Sequence, residues 1–164
     1  GGGLDFRGGR VETRAGRSAS RAFRLNDGVA IDLRTRMARE SVEDLLRRAR
    51  LLDPLDRSLL EQHLGNGRSV ASIARERGCL PEGLRSRVKR LVARINSPLY
   101  AMVRDRAGMW DEQMRAIAIA CVGRGRSMRG AARELGIGIH VVRARMLEVR
   151  AMLVASETRS GAAA

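Results

Sequence analysis

The chain repeats itself at an offset of 58 residues without a gap, and no other feature of the sequence constrains its fold as strongly. Ala74-Arg75-Glu76 recurs as Ala132-Arg133-Glu134, and Gly78 recurs as Gly136. Apolar positions keep the same register around these matches. Because glycines match at turn positions, a chance match between two Arg- and Ala-rich helices is a poor explanation. The sequence therefore predicts two copies of one three-helix unit.

Composition restricts the kind of core that these units can have. Aromatic residues make up 2% of the chain and hydrophobic residues 44%. The core must then consist of Leu, Val, Ile, Ala and Met, which favours packed helices over a sandwich or barrel, whose strands are rich in aromatic and β-branched side chains. We expect an all-α fold of two tandem helix-turn-helix (three-helix) units joined by a short helical connector.

Turn and capping signals divide the 164 residues into five parts. Residues 1–22 hold six Gly and five Arg, which predicts a flexible basic arm. Apolar residues alternate around Asn26-Asp27-Gly28, a pattern that fits a short β-hairpin and a loop before a helix equally well. The predicted parts are an arm with the hairpin option (1–34), a first unit (35–96), a connector (97–110), a second unit (111–155) and a tail (156–164).

The net charge of +14 restricts the partners, because so positive a surface attracts polyanions, chiefly nucleic acid. No apolar run is long enough to span a membrane, and we expect no membrane partner. The chain has two cysteines, which form no Cys-x-x-Cys pair, and two histidines. We therefore expect no metal site, no cofactor and a reducing cytoplasm. Paired carboxylates, a phosphate loop and a Ser-His-Asp pattern are not recognisable, so no enzymatic activity is predicted.

Each predicted unit ends in a short helix, a tight turn and a longer basic helix, the order found in helix-turn-helix proteins that place the second helix in the major groove. In the first copy, Leu84, Val88 and Leu91 are expected to face inward. The outer face and flank of that helix can then donate to bases and phosphates. Over both copies, the predicted DNA-contacting residues are Ser69, Glu82, Arg85, Ser86, Arg87, Lys89, Arg90, Arg94, Arg126, Arg143 and Arg145.

The runs Leu52-Asp53-Pro54-Leu55-Asp56, Arg68 to Gly78 and Leu84-Arg85-Ser86-Arg87-Val88 resemble the C-terminal promoter-reading domain (region four) of bacterial sigma factors. The resemblance covers residues 52–95 and extends more weakly to 111–154. It implies a promoter-reading second helix and contact with RNA polymerase. Position by position, it places Glu82, Arg85, Ser86 and Lys89 near bases and Arg90 near the DNA backbone.

The chain departs from that family in three respects. Leu80-Pro81 stands where a polar cap and an acidic residue usually begin the second helix. No counterpart of the region-two domain is recognisable, so a complete sigma factor is not expected. The unit also occurs twice. The stretch from Ser97-Pro98-Leu99 to Gly108 is faintly similar to a segment of alphaproteobacterial regulators that include activators of gene-transfer-agent genes.

The last helix of the second copy has a mostly apolar outer face, which predicts a surface for protein contact. That face could cover the first copy, a second chain in a homodimer, or a polymerase subunit. Alternatively, Arg143, Arg145 and Arg150 still bind phosphate and the apolar face is incidental. The residues assigned to protein contact are His140, Ala144, Leu147 and Ala151.

Together these features predict a sequence-specific double-stranded DNA-binding transcription regulator of bacterial or phage type. A sigma-like activator that acts near RNA polymerase in the nucleoid is the favoured form. The first alternative is an RNA polymerase- or sigma-binding adaptor that uses its helix-turn-helix units for protein contact. The second is the DNA-binding part of a recombinase or transposase. Recognition of single-stranded RNA is disfavoured because aromatic stacking platforms are scarce.

Overall fold

The computed structural model describes residues 38–39 and 41–162, and every regular element among them is a helix. The predicted all-α class is thereby confirmed. The basic arm and the choice between hairpin and loop fall outside the described residues. Within the described part of the chain, no helix is both long enough and apolar enough to span a membrane.

Eight α-helices with short 3₁₀ and π turns follow one another along residues 41–162. We number them α1 (41–48), α2 (Pro54–Leu60), α3 (Val70–Glu76), α4 (Pro81–Ile95), α5 (Pro98–Arg106), α6 (Glu112–Ala118), α7 (Met128–Leu135) and α8 (Ile139–Ala162). The short turns are 3₁₀ at Ala49–Leu51 and Ala107–Met109, and π at Glu61–Gly65 and Ile119–Gly123.

The helices of residues 53–95 (the first segment) recur in residues 111–153 (the second segment) at the offset read from the sequence. Helix α2 with its π turn coincides with α6 and its π turn residue for residue. Ser69 caps α3 by accepting from the Ser72 backbone N–H at 3.1 Å, and Ser127 caps α7 by accepting from Gly130 at 3.0 Å. Equivalent residues therefore begin equivalent helices.

Glycines in a left-handed conformation lie at equivalent turns of the two segments. Among the described residues, only four have a positive φ, and they form two pairs related by 58 residues: Gly67 (66°) with Gly125 (70°), and Gly78 (64°) with Gly136 (66°). Other residues adopt this conformation only with strain. The glycines matched in the sequence are thus the residues that turn the backbone.

The two segments and α5 share one core, so the predicted connector is more than a spacer. Ile73, Ile95, Ile117 and Val142 are fully or almost fully buried, and they come from both segments. Tyr100 of α5 is completely buried. Its hydroxyl donates to the Arg48 carbonyl at 3.0 Å and accepts from the Leu51 N–H at 3.1 Å. Helix α5 thereby holds the chain that leads into α2.

Helix α8 continues to Ala162, so residues 156–162, predicted as part of a tail, are helical. The polar side chains of this extension are compatible with a helix because they bond to it. Ser156 donates to the Leu153 carbonyl at 2.7 Å and Thr158 to the Val154 carbonyl at 2.9 Å. Such bonds to the preceding turn satisfy hydroxyl groups without breaking the helix.

Candidate nucleic-acid interface

Helices α3 and α4 form the part of the first segment that carries the predicted DNA-binding residues. As predicted, Leu84 and Leu91 are buried and Val88 is half-buried, so this side of α4 lies against the core. Pro81 stands at the first position of α4, where its missing N–H leaves no helical bond unmade. Buried side chains on one side therefore set which residues α4 presents outward.

The outward side of α4 carries Glu82, Arg85, Ser86 and Lys89, all of them exposed. Arg85 donates to Glu82 at 2.9 Å, and the two side chains are 58% and 82% exposed. A pair this exposed contributes little to stability and can open for another partner. Ser86 and Lys89 make no side-chain hydrogen bond within the described part of the chain. This surface offers hydrogen-bond donors on Arg85, Ser86 and Lys89 and an acceptor on Glu82, and base edges can pair with both.

Arg87 has a structural partner. Its Nε donates to Asp56 Oδ1 at 2.6 Å, and the Asp56 side chain is 8% exposed. The pair joins α4 to α2. One edge of the Arg87 guanidinium, which was predicted to contact DNA, is therefore occupied by an ion pair within the protein. About half of the Arg87 side chain remains exposed.

Arg90 and Arg94 lie together on the flank of α4, one turn apart. Arg90 is exposed and Arg94 is half-buried. Neither pairs with a carboxylate among residues 41–162. Ser69 lies at the start of α3, exposed, with its hydroxyl oxygen used as the cap. These positions place positive charge beside the outward side of α4.

The second segment differs, because most of its predicted DNA-contacting arginines are neutralised. Arg126 pairs with Glu134 at 2.9 Å and with Asp53 at 3.1 Å. Arg145 pairs with Glu148 at 3.0 Å and approaches Asp111 at 3.8 Å. The hydrogen bond from Arg126 lowers the pKa of Glu134 below its ordinary value.

Arg143 is exposed and has no ion pair among the described residues. It is therefore the second-segment arginine of the predicted set that is accessible to a phosphate. Arg150, also on α8, is likewise exposed and without an ion pair within residues 41–162, so α8 keeps two accessible arginines that a phosphate can reach.

One ion pair is common to both segments and was not predicted from the sequence. Arg68 pairs with Glu76, as Arg126 pairs with Glu134, at positions related by 58 residues. The hydrogen bond from Arg68 lowers the pKa of Glu76. Each pair links the residue before the serine cap of α3 or α7 to that helix's last turn. The matched Arg and Glu in the repeat were the signal that could have revealed it.

The outer side of α8 carries the residues assigned to protein contact, and the first segment does not cover them. His140, Ala144 and Ala151 are exposed, and Leu147 is 71% exposed. Val154 extends the same side by one turn and is 62% exposed. Spacings of three and four residues align these positions in one stripe along the helix. Packing on the first copy, one of the three partners considered for this face, is therefore not observed.

The thiols and carboxylates of the described residues form no metal-binding group of three or more. Cys79 is exposed and Cys121 half-buried, and both are free. Burial raises the pKa of the Cys121 thiol above its ordinary value, so its reactive thiolate is disfavoured.

The chain matches no protein-family model, no curated protein and no solved structure. Similarity to known proteins therefore assigns neither a family nor a function to it.

Proposed function

We propose that this protein binds double-stranded DNA sequence-specifically as a transcription regulator, with α3, the Gly78 turn and α4 as the reading helix-turn-helix. In this proposal the second segment is a tandem helix-turn-helix unit. The resemblance to region four of sigma factors supports an activator acting near RNA polymerase in the bacterial nucleoid.

One observation carries the proposal: α4 presents Arg85, Ser86 and Lys89 to solvent along one side while Leu84 and Leu91 anchor the other side. A helix of 15 residues held in this way can enter the major groove as a rigid element. Arg pairs bidentately with guanine, and Ser and Lys donate to bases or phosphates. The net charge of +14 adds attraction to DNA that is independent of sequence.

The test is selection of bound duplexes from a random DNA library at about 150 mM salt, where nonspecific attraction is screened beyond about 8 Å. We expect the intact chain to recover a sequence motif that the variant Arg85→Ala, Lys89→Ala loses. The matched control is Arg106→Ala, Arg159→Ala, which removes the same charge from exposed positions outside α4. It should recover the same motif with lower affinity.

Two outcomes would contradict the proposal. Binding without any motif would leave a nonspecific polyanion binder. A motif that survives the loss of Arg85 and Lys89 would move the reading surface away from α4.

A second candidate function is supported by the exposed stripe on α8. An adaptor that binds RNA polymerase, a sigma factor or a second copy of this chain needs an accessible apolar surface, and Leu147 and Val154 supply one. Absence of DNA binding together with partner contact that Leu147→Arg abolishes would favour the adaptor.

A further inference from the structure

A cavity of about 310 Å³ opens between α4 and the loop that precedes α7. Five arginines and two aspartates contribute to its lining, together with Leu91 and Gly125. Three of the arginines come from α4 and two from residues 124–126, so the two segments build the cavity jointly. The residue pattern does not reveal this cavity, because the cavity depends on how the segments pack.

The carboxylates near this cavity neutralise only some of its arginines. Asp56 accepts from Arg87 at 2.6 Å. Asp53 lies 3.1 Å from Arg126 and 3.9 Å from Arg124. Glu134, outside the lining, accepts from both arginines of the loop. Three carboxylates thus form ion pairs with Arg87, Arg124 and Arg126.

Arg90 and Arg94 are the remaining arginines of the lining, and neither has a carboxylate partner within residues 41–162. They are four residues apart on α4, so their side chains lie on the same side of the helix. Two positive charges without a carboxylate partner therefore lie at one wall of the cavity.

The Arg94 guanidinium lies directly against the loop backbone at Gly125. A Cβ atom added to Gly125 would collide with that guanidinium. The equivalent residue of the first segment, Gly67, has a similar φ of 66° but nothing within 4 Å of its added Cβ. Gly125 therefore leaves the space in which Arg94 is held, and Gly67 provides a matched position without that contact.

We infer that this cavity binds a phosphoryl group through Arg90 and Arg94. A guanidinium offers a planar pair of donors that matches phosphoryl oxygens, and two uncompensated positive charges match the charge of a phosphoryl dianion. The group can come from the DNA backbone or from a free phosphorylated small molecule. The backbone source rests on the proposed function, whereas the small-molecule source does not.

The position of the cavity is compatible with the backbone source. Ser86 and Arg90 are four residues apart and adjoin on the surface of α4. A phosphate held by Arg90 and Arg94 would therefore lie at the edge of the outward side that carries Arg85 and Lys89. Contacts of this kind set the position and register of a protein on the duplex.

The first experiment measures binding of pyrophosphate to the full chain by calorimetry at constant ionic strength. For the variants Arg94→Ala and Gly125→Ala we expect the dissociation constant to rise about tenfold, since the charge-assisted hydrogen bonds of one guanidinium are lost or displaced. Gly67→Ala carries the same backbone strain without touching an arginine, and its affinity should equal that of the wild type.

The second experiment measures the salt dependence of duplex binding by the same proteins. If the backbone is the source, Arg94→Ala should reduce the slope of log K against log salt by about 0.9, the value for one phosphate contact. A reduced slope assigns the cavity to DNA. An unchanged slope with weakened pyrophosphate binding assigns it to a free phosphorylated molecule.

The inference is overturned if neither the pyrophosphate affinity nor the salt slope differs between Arg94→Ala and the wild type. It is also overturned if Gly67→Ala and Gly125→Ala weaken binding equally, because backbone strain then explains the loss. Should the chain bind no DNA at all, the proposed function fails while the pyrophosphate measurement still decides on the cavity.

Discussion

The Nε atom of Arg87 lies 2.6 Å from Oδ1 of Asp56, so the helix proposed to read DNA is anchored to α2 by an ion pair whose carboxylate is almost completely buried. A carboxylate taken out of water needs such a partner. The pair thus joins α4 to α2, in addition to the buried apolar side of α4.

Asp56→Ala should destabilise the fold by about 1.5–3 kcal/mol, the range for a hydrogen bond to a charged group. Chemical denaturation monitored by circular dichroism measures this change. The matched control is Glu61→Ala, which breaks an exposed pair with Arg57 and should change the free energy of unfolding by less than about 0.5 kcal/mol. Equal effects of the two substitutions would show that the Arg87–Asp56 pair does not hold α4.

Tyr100→Phe should also destabilise the protein, by about 1–3 kcal/mol, because the Leu51 N–H and the Arg48 carbonyl lose their partner in a partly buried setting. The stability of the wild type should also decrease at alkaline pH because of this hydroxyl. Burial raises the pKa of Tyr100 above its ordinary value of 10.0. A raised pKa adds stability that is present below pH 10 and is lost as the pH rises toward the folded-state pKa.

Tyrosinate absorbance measures this titration without ambiguity, since Tyr100 is the only tyrosine of the chain. The midpoint in the folded protein should lie above 10.0. Tyr100→Phe should lack the alkaline loss of stability that is specific to the wild type. A midpoint at or below the ordinary value would contradict the buried position of the hydroxyl.

Acid should weaken the ion pair that links Glu134 to Arg126. The pKa of Glu134 is lowered from an ordinary value of 4.5, first by the hydrogen bond from Arg126. A lowered pKa adds stability that is present above pH 4.5 and is lost as the pH falls through the folded-state pKa. Wild type and Glu134→Gln should therefore differ in melting temperature at neutral pH and converge in acid.

Melting temperatures between pH 7 and pH 3 test this convergence. Glu112→Gln is the control, because Glu112 is exposed and has no ion pair within the described residues. At neutral pH Glu112→Gln should lower the melting temperature less than Glu134→Gln does. A difference between Glu134→Gln and the wild type that stays constant over the interval would mean that the pair adds no pH-dependent stability.

Leu147→Arg should leave the fold intact, with a change in the free energy of unfolding within about 0.5 kcal/mol, because its side chain is 71% exposed. The contact proposed for the α8 stripe should be lost, measured as self-association by sedimentation or as binding to RNA polymerase. Leu55→Arg is matched in exposure, at 72%, and lies on α2 away from the stripe. If both variants keep solubility, oligomeric state and partner binding unchanged, the stripe is not a contact surface.

Several features of the fold could be read from residue order because they depend on local interactions. Serine caps at Ser69 and Ser127, proline at the start of α4 and left-handed glycines act within a few residues. The repeat then transfers each local feature from one segment to the other. The inward side of α4 follows from apolar spacing alone.

Other features depend on which distant residues the packing brings together, and the sequence pattern does not contain that information. Arg87 and Arg90 look alike along the chain, yet one pairs with buried Asp56 and the other faces a cavity. Arg126 was assigned to DNA, but Asp53 from the other segment and Glu134 neutralise it. The connector became part of the core because Tyr100 reaches Arg48 and Leu51.

The sequence by itself determined the all-helical class, the repeat, the helix starts and the outward residues of α4, since periodicity and capping are properties of neighbouring residues. Only the tertiary structure decided which arginines are neutralised, which remain accessible and where the two segments form an open, charged cavity. The physical reason is that ion pairing and cavity formation depend on distances across the fold, which residue spacing along one helix does not specify.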